Sequence, residues 1–189
     1  MTQRERLEKA KSVLFPLLRA GEETLNINLV GETTTFIRFN KTLIRQSTDV
    51  EQCDLTLELK KGKQHSSMSF SFGASMTDEA LAYNLKVLQD EVDQLPEDPY
   101  CAPHTNEGES VTEYKGELPS VETVLETIKK NFSDVDLAGQ YVTGQLYRGN
   151  ANSLGQSHWY SSKSMYVDYS LYSAKEKAVK GSYASTHYN

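Results

Sequence analysis

Four histidines and two cysteines are the residues of this chain best suited to metal or nucleophilic chemistry. A helical zinc site needs two histidines about one turn apart, so that both imidazoles leave one face. His65, His104, His158 and His187 are too widely spaced for that, and neither HExxH nor HExxxH occurs. Cys53 and Cys101 form no CxxC pair and no disulfide framework, which predicts reduced thiols. Only a Cys–His pair made by the fold remains open to them. There is no P-loop, no GxGxxG after a strand and no GxSxG elbow. His65 shares parity with Ser67 and Ser69, which predicts that it faces solvent.

Charge narrows the choice further. The net charge is −6, so no global basic field draws in nucleic acid. From Gln89 to Glu122 ten acidic residues face one basic residue, Lys115, a net of −9; the remainder is −6 + 9 = +3. Lys60, Lys61 and Lys63 are the one tight basic cluster, and a solvated hairpin tip is expected there. The acidic stretch holds no metal-loop spacing of carboxylates, so residues 96–119, with four of the five prolines, read as a loop or linker. No apolar run approaches the ~20 residues of a membrane span. The charged start MTQRERLEKAK lacks the apolar centre of a signal peptide, which predicts a cytoplasmic protein.

The elements that must position these residues follow from periodicity. Leu7, Ala10, Val13, Leu14, Leu17 and Leu18 predict an amphipathic helix over 4–20, broken or kinked near Phe15 by Pro16 and stopped at Gly21. Alternation predicts strands at Leu25–Leu29, Thr33–Phe39 and Leu43–Gln46, with turns at Gly31-Glu32 and Asn40-Lys41. Leu55, Leu57 and Leu59, then Met68, Phe70 and Phe72, flank Lys61-Gly62 as a hairpin with one buried face. Thr77 opens a helix whose apolar face is Leu81, Leu85, Leu88, Val92 and Leu95. Ser120 caps a third, with Val121, Val124, Leu125, Ile128 and Phe132. Strands then follow at 140–148, 153–161 and 163–172, in a region with eight of the eleven tyrosines. Apolar content of 38% is below the usual ~45–50%, yet the clear alternation and small net charge argue against disorder. The fold class is α+β, with largely antiparallel sheets packed against three helices.

Residues 136–181, with the polar turn Gly149-Asn150-Ala151-Asn152-Ser153-Leu154-Gly155, are the most specific stretch. Gly149 and Gly155 are free to take positive φ, and Asn150 and Asn152 tolerate it. The stretch and the upstream order of elements, including Arg38-Phe39-Asn40, resemble the N-terminal domain of the TldD/PmbA (TldE) family, once called modulators of DNA gyrase. The resemblance implies a half at 1–95, a linker at 96–119 and a half at 120–189, intertwined and followed by a C-terminal domain. The tail KGSYASTHYN, which ends as if in mid-strand, is read the same way. It further implies a partner subunit of TldD/PmbA type and a chamber that degrades unstructured peptides. Zinc belongs to TldD-type members, on an HExxxH helix beyond this region; PmbA/TldE-type partners lack it. No catalytic or metal-binding residue and no cofactor is therefore expected in this chain, which is expected to be inactive alone.

Two further readings compete. A stand-alone, non-enzymatic protein-binding module would use the tyrosine-rich strands and the acidic loop; binding to DNA is opposed by the charge. Apolar Val142, Leu146, Met165, Val167, Tyr169 and Leu171 are expected on one face, with Tyr141, Tyr147, Tyr166 and Tyr172 on the other. The expected interface or peptide-facing residues are Tyr147, Arg148, Asn150, Asn152, Trp159, Tyr166 and Tyr172.

Overall fold

Alternating sequence becomes long strands. The computed structural model describes residues 1–132, 135–173 and 177–187. Among these the order is α1 (Gln3–Leu14), β1 (Glu23–Asn40), β2 (Leu43–Lys61), β3 (Gln64–Ser71), α2 (Asp78–Val92), β4 (Glu109–Tyr114), α3 (Val121–Asn131), β5 (Asp136–Asn152), β6 (Ser157–Tyr172) and β7 (Ala178–Ser185). A short 3-10 turn, Phe15–Leu17, follows α1 at Pro16. The strands hydrogen-bond in the order β3-β2-β1-β5-β6-β4, and β7 also pairs with β6. The β2/β3 and β6/β7 pairs are antiparallel. The class is α+β, as the sequence predicts. Tyr188 and Asn189 of the tail, and 174–176 of the 136–181 stretch, lie outside the described residues.

The chain forms two units. Unit 1 comprises 1–31, 52–112 and 147–160; unit 2 comprises 32–51, 113–146 and 161–189. In unit 1 the odd positions of the strands point inward. Leu25, Ile27 and Leu29 of β1 and Leu55, Leu57 and Leu59 of β2 are fully buried. They meet Leu7, Ala10 and Leu14 of α1 and Leu81, Leu85, Leu88 and Val92 of α2. Both helices are capped. Thr77 Oγ1 accepts from Ala80 N at 3.2 Å, and Thr2 and Glu5 form a reciprocal capping box absent from the periodicity argument.

In unit 2, Ile37 and Phe39 of β1, Leu137 and Tyr141 of β5, and Met165 of β6 form a smaller core under α3. Ser120 caps α3, accepting from Thr123 N at 3.2 Å. The turn between β1 and β2 is Lys41-Thr42, with φ of 52° and 58°. A β-branched residue in that region is unusual. It is held there because Thr42 Oγ1 donates to the Phe132 and Val135 carbonyls, each at 3.0 Å, and Thr42 N to Leu137 O at 3.0 Å.

Several expected breaks are not breaks. The turn expected at Gly31-Glu32 is continuous β1. Gly31 is there because a Cβ would lie 2.5 Å from the Gln52 carbonyl oxygen and against the Tyr147 ring. The strand at 43–46 continues as β2, whose first half is exposed and so shows no alternation. The strands expected at 153–161 and 163–172 are one strand, β6. The 96–119 segment contains β4, all six residues of it exposed.

Candidate binding surface

Burying Leu25, Ile27 and Leu29 leaves Thr24, Asn26 and Asn28 on the opposite face of β1 in unit 1. Asn150, on β5, meets them there. Its Nδ2 donates to Asn26 Oδ1 at 3.0 Å and Asn28 Oδ1 at 2.6 Å, and its own Oδ1 accepts from Gln156 Nε2. Arg148 stands exposed two residues earlier, and its guanidinium makes no ion pair or hydrogen bond among the described residues. On β6, His158 Nδ1 is 2.8 Å from Ser110 Oγ of β4. Asn28, Ser110, Arg148, Asn150, His158 and Tyr160 line a shallow depression of about 460 Å³. It offers amide donors and acceptors, an imidazole and a guanidinium, which suits a polar backbone such as that of a peptide.

The connection after β5 is shaped by one side chain. Asn152 Oδ1 accepts from Leu154 N at 3.0 Å and Gln156 N at 3.2 Å, while its Nδ2 donates to Thr105 O at 2.6 Å. Gly155 takes φ of 100°, as expected. Gly149 does not: it lies within β5, where a Cβ would come within 2.8 Å of Leu7 Cδ2. Asn150 and Asn152 are not left-handed either.

The acidic segment is strapped onto unit 1. Asp98 N donates to Lys63 O at 3.0 Å, Lys60 Nζ to Ala102 O at 2.9 Å, and Asn106 Nδ2 to Leu154 O at 2.9 Å. His104 closes the strap: Nδ1 is 2.9 Å from Thr24 Oγ1, and Nε2 is 3.6 Å from Glu58 Oε2. Burial pushes the His104 pKa down, and Lys60 adds to this against the pull of Glu58. Burial opposes ionisation of Glu58 too, but Lys60 at 3.1 Å and His104 hold its carboxyl below the usual range. Two members of the expected basic tip are thereby engaged, Lys60 with Glu58 and Lys61 with Asp93 at 2.8 Å. His65 faces solvent as expected, beside Asp98 at 3.2 Å. Cys53 is buried, and burial pushes its thiol pKa up. Among the described residues no three of His, Cys, Asp and Glu converge. No helix among them is long and apolar enough to cross a membrane.

The sequence-predicted interface residues fall into separate places. Tyr147 and Trp159 stack in the unit 1 core, ring centroids 5.8 Å apart. Asn152 is buried in the turn; Arg148 and Asn150 lie on the polar depression. Tyr166 and Tyr172 are exposed in unit 2. The single tyrosine face is therefore corrected: on β5 Tyr141 and Tyr147 are buried and Leu146 is exposed, because odd positions face the core. Asn26, Asn28, Ser110 and His158 were not anticipated. The signal was present, since two asparagines at alternate strand positions contradict strand preference.

No family model matches the sequence, and no curated protein matches it. Solved structures do. A structure from Thermotoga maritima described as a modulator of a DNA gyrase superposes with a TM-score of 0.67 at 14% identity, over 94% of this chain and 42% of its own. One from Bacteroides thetaiotaomicron with the same description gives 0.65 at 15%, over 97% and 45%. TldE from Thermococcus kodakarensis gives 0.62 at 13%, over 97% and 43%. This chain thus spans less than half the length of each, and it has the fold that these modulators of DNA gyrase and TldE carry over that part of their chains.

Proposed function

We propose that this chain is the N-terminal domain of a TldD/PmbA-like cytoplasmic peptidase or of its non-catalytic partner subunit. It shapes a chamber for unstructured peptides and contributes to the subunit interface. Any zinc site belongs to the C-terminal domain, and this chain alone hydrolyses nothing. The observation that carries this reading is the coverage: nearly all of this chain aligns with less than half of each neighbour. The depression at Arg148 and Asn150 gives the peptide a polar surface, and terminal strand β4 beside it leaves an edge for backbone pairing.

The coding frame beyond Asn189 tests the proposal. It is expected to continue, with HExxxH for the catalytic type or without it for the partner type. A frame that stops at Asn189, together with a stable monomer by mass measurement, overturns the reading in favour of a stand-alone binding module.

A further inference from the structure

The hydrogen bonds beside the unit 1 depression run in one direction. Glu107 N, a backbone group that only donates, gives its hydrogen to Gln156 Oε1 at 3.0 Å. Gln156 then turns Nε2 toward Asn150, whose Oδ1 accepts from it. Asn150 Nδ2 therefore faces β1, where it also lies 3.5 Å from the Ile27 carbonyl oxygen, which only accepts. Asn26 and Asn28 answer with their oxygens. The Nδ2 of Asn28, which lines the depression, is left without an acceptor among the described residues. Arg148 beside it carries donors only, and its guanidinium is unpaired among the described residues. The Ser110–His158 pair keeps a proton to donate in either tautomer, on the hydroxyl or on Nε2.

No carboxylate among the described residues lines the depression, although the chain has a net charge of −6. Parity accounts for this on β4: Ser110 and Thr112 line it, so Glu109 takes the opposite face. Val30 and Tyr160, both exposed, flank it with apolar surface. We propose that the depression binds an acidic side chain of an extended peptide, its carboxylate accepting hydrogen bonds from Arg148, Asn28 and the Ser110–His158 pair. Donors fixed around one cation match a carboxylate, and the amide chain holds Asn28 in place before the ligand arrives. The depression is open and shallow, so a chain can pass through it; this assigns the carboxylate to a side chain and not to a terminus. The inference rests on reading this surface as the peptide-facing one, and adds which peptides it selects.

Titrating the 15N-labelled whole chain with two blocked glycine-serine peptides, one with a central glutamate and one with a central glutamine, tests this. The side-chain signals of Asn28 and Arg148 are expected to shift saturably with the glutamate peptide, and to need at least about tenfold more of the glutamine peptide. Asn28→Asp keeps the oxygen that Asn150 uses and turns a second oxygen outward, whereas Arg148→Gln removes the charge at an exposed position. Each is expected to weaken the glutamate peptide at least about tenfold and to leave the glutamine peptide unchanged, a split that misfolding does not produce. Equal affinity for the two peptides, or variants that titrate like the wild type, overturns the proposal and leaves the peptide-facing reading standing. Absence of any shift with either peptide overturns both. A glutamine peptide with a free terminal carboxylate that binds as tightly as the blocked glutamate peptide overturns the assignment to a side chain.

Discussion

Unit 1 covers its strand segments with two helices, whereas unit 2 covers its own with one. In unit 1, α1 packs on α2, and Leu81, Leu85, Leu88 and Val92 are at most 1% exposed. In unit 2, α3 buries Val124 alone, and Leu43 and Ile44 of β2 remain more than half exposed. Both helices have regular apolar spacing, so periodicity does not set burial. What differs is the layer each helix has beside it. A helix backed by a second helix closes over its strands, and a lone helix leaves an opening.

Leu85→Ala should break this contrast most sharply. It is expected to cost about 2–5 kcal/mol, because a fully buried leucine leaves a cavity that its neighbours cannot fill. Leu125→Ala, half-buried on α3, should cost under about 1 kcal/mol. Urea unfolding of the two variants checks the difference, and equal losses would mean that α3 is as tightly packed as α2.

The glycines give the next largest effect. Gly31→Ala pushes a methyl against the Gln52 carbonyl in unit 1, where neither backbone can yield, and should cost about 1–3 kcal/mol. Gly181→Ala meets only the Tyr169 ring, which borders open space in unit 2, and should cost less than about 1 kcal/mol. Thermal midpoints rank the pair.

How far the sequence reveals this follows from which faces are covered. Leu55, Leu57 and Leu59 and the α2 leucines are legible because one face is buried and the other wet. The first half of β2 is invisible because both of its faces are wet. Gly31 reads as a turn because sequence does not distinguish a glycine needed for φ from one needed for close approach. In the candidate surface, Arg148 and Asn150 are legible from the polar run at the end of β5. Asn26 and Asn28 become partners of Asn150 only once β1 and β5 are known to be neighbours.

The smallest expected effect is a pH slope arising in unit 1. His104 has a lowered pKa in the folded chain, so the unfolded chain binds more protons as pH falls below its ordinary value of ~6.5. Stability is therefore fully present above that pH and declines below it toward the folded pKa. Glu58, whose pKa is also lowered, adds its loss only in the lower carboxylate range. Urea midpoints at pH 7.5 and about 5.5 should differ in the wild type and differ less in His104→Gln.

The proposed reading has as its central claim that this chain alone neither hydrolyses peptides nor holds zinc. Incubating the purified chain with zinc and an unstructured peptide, then reading the peptide by mass spectrometry and the metal by elemental analysis, tests it most directly. The account predicts intact peptide and no stoichiometric zinc. Cleavage that a chelator abolishes would contradict it.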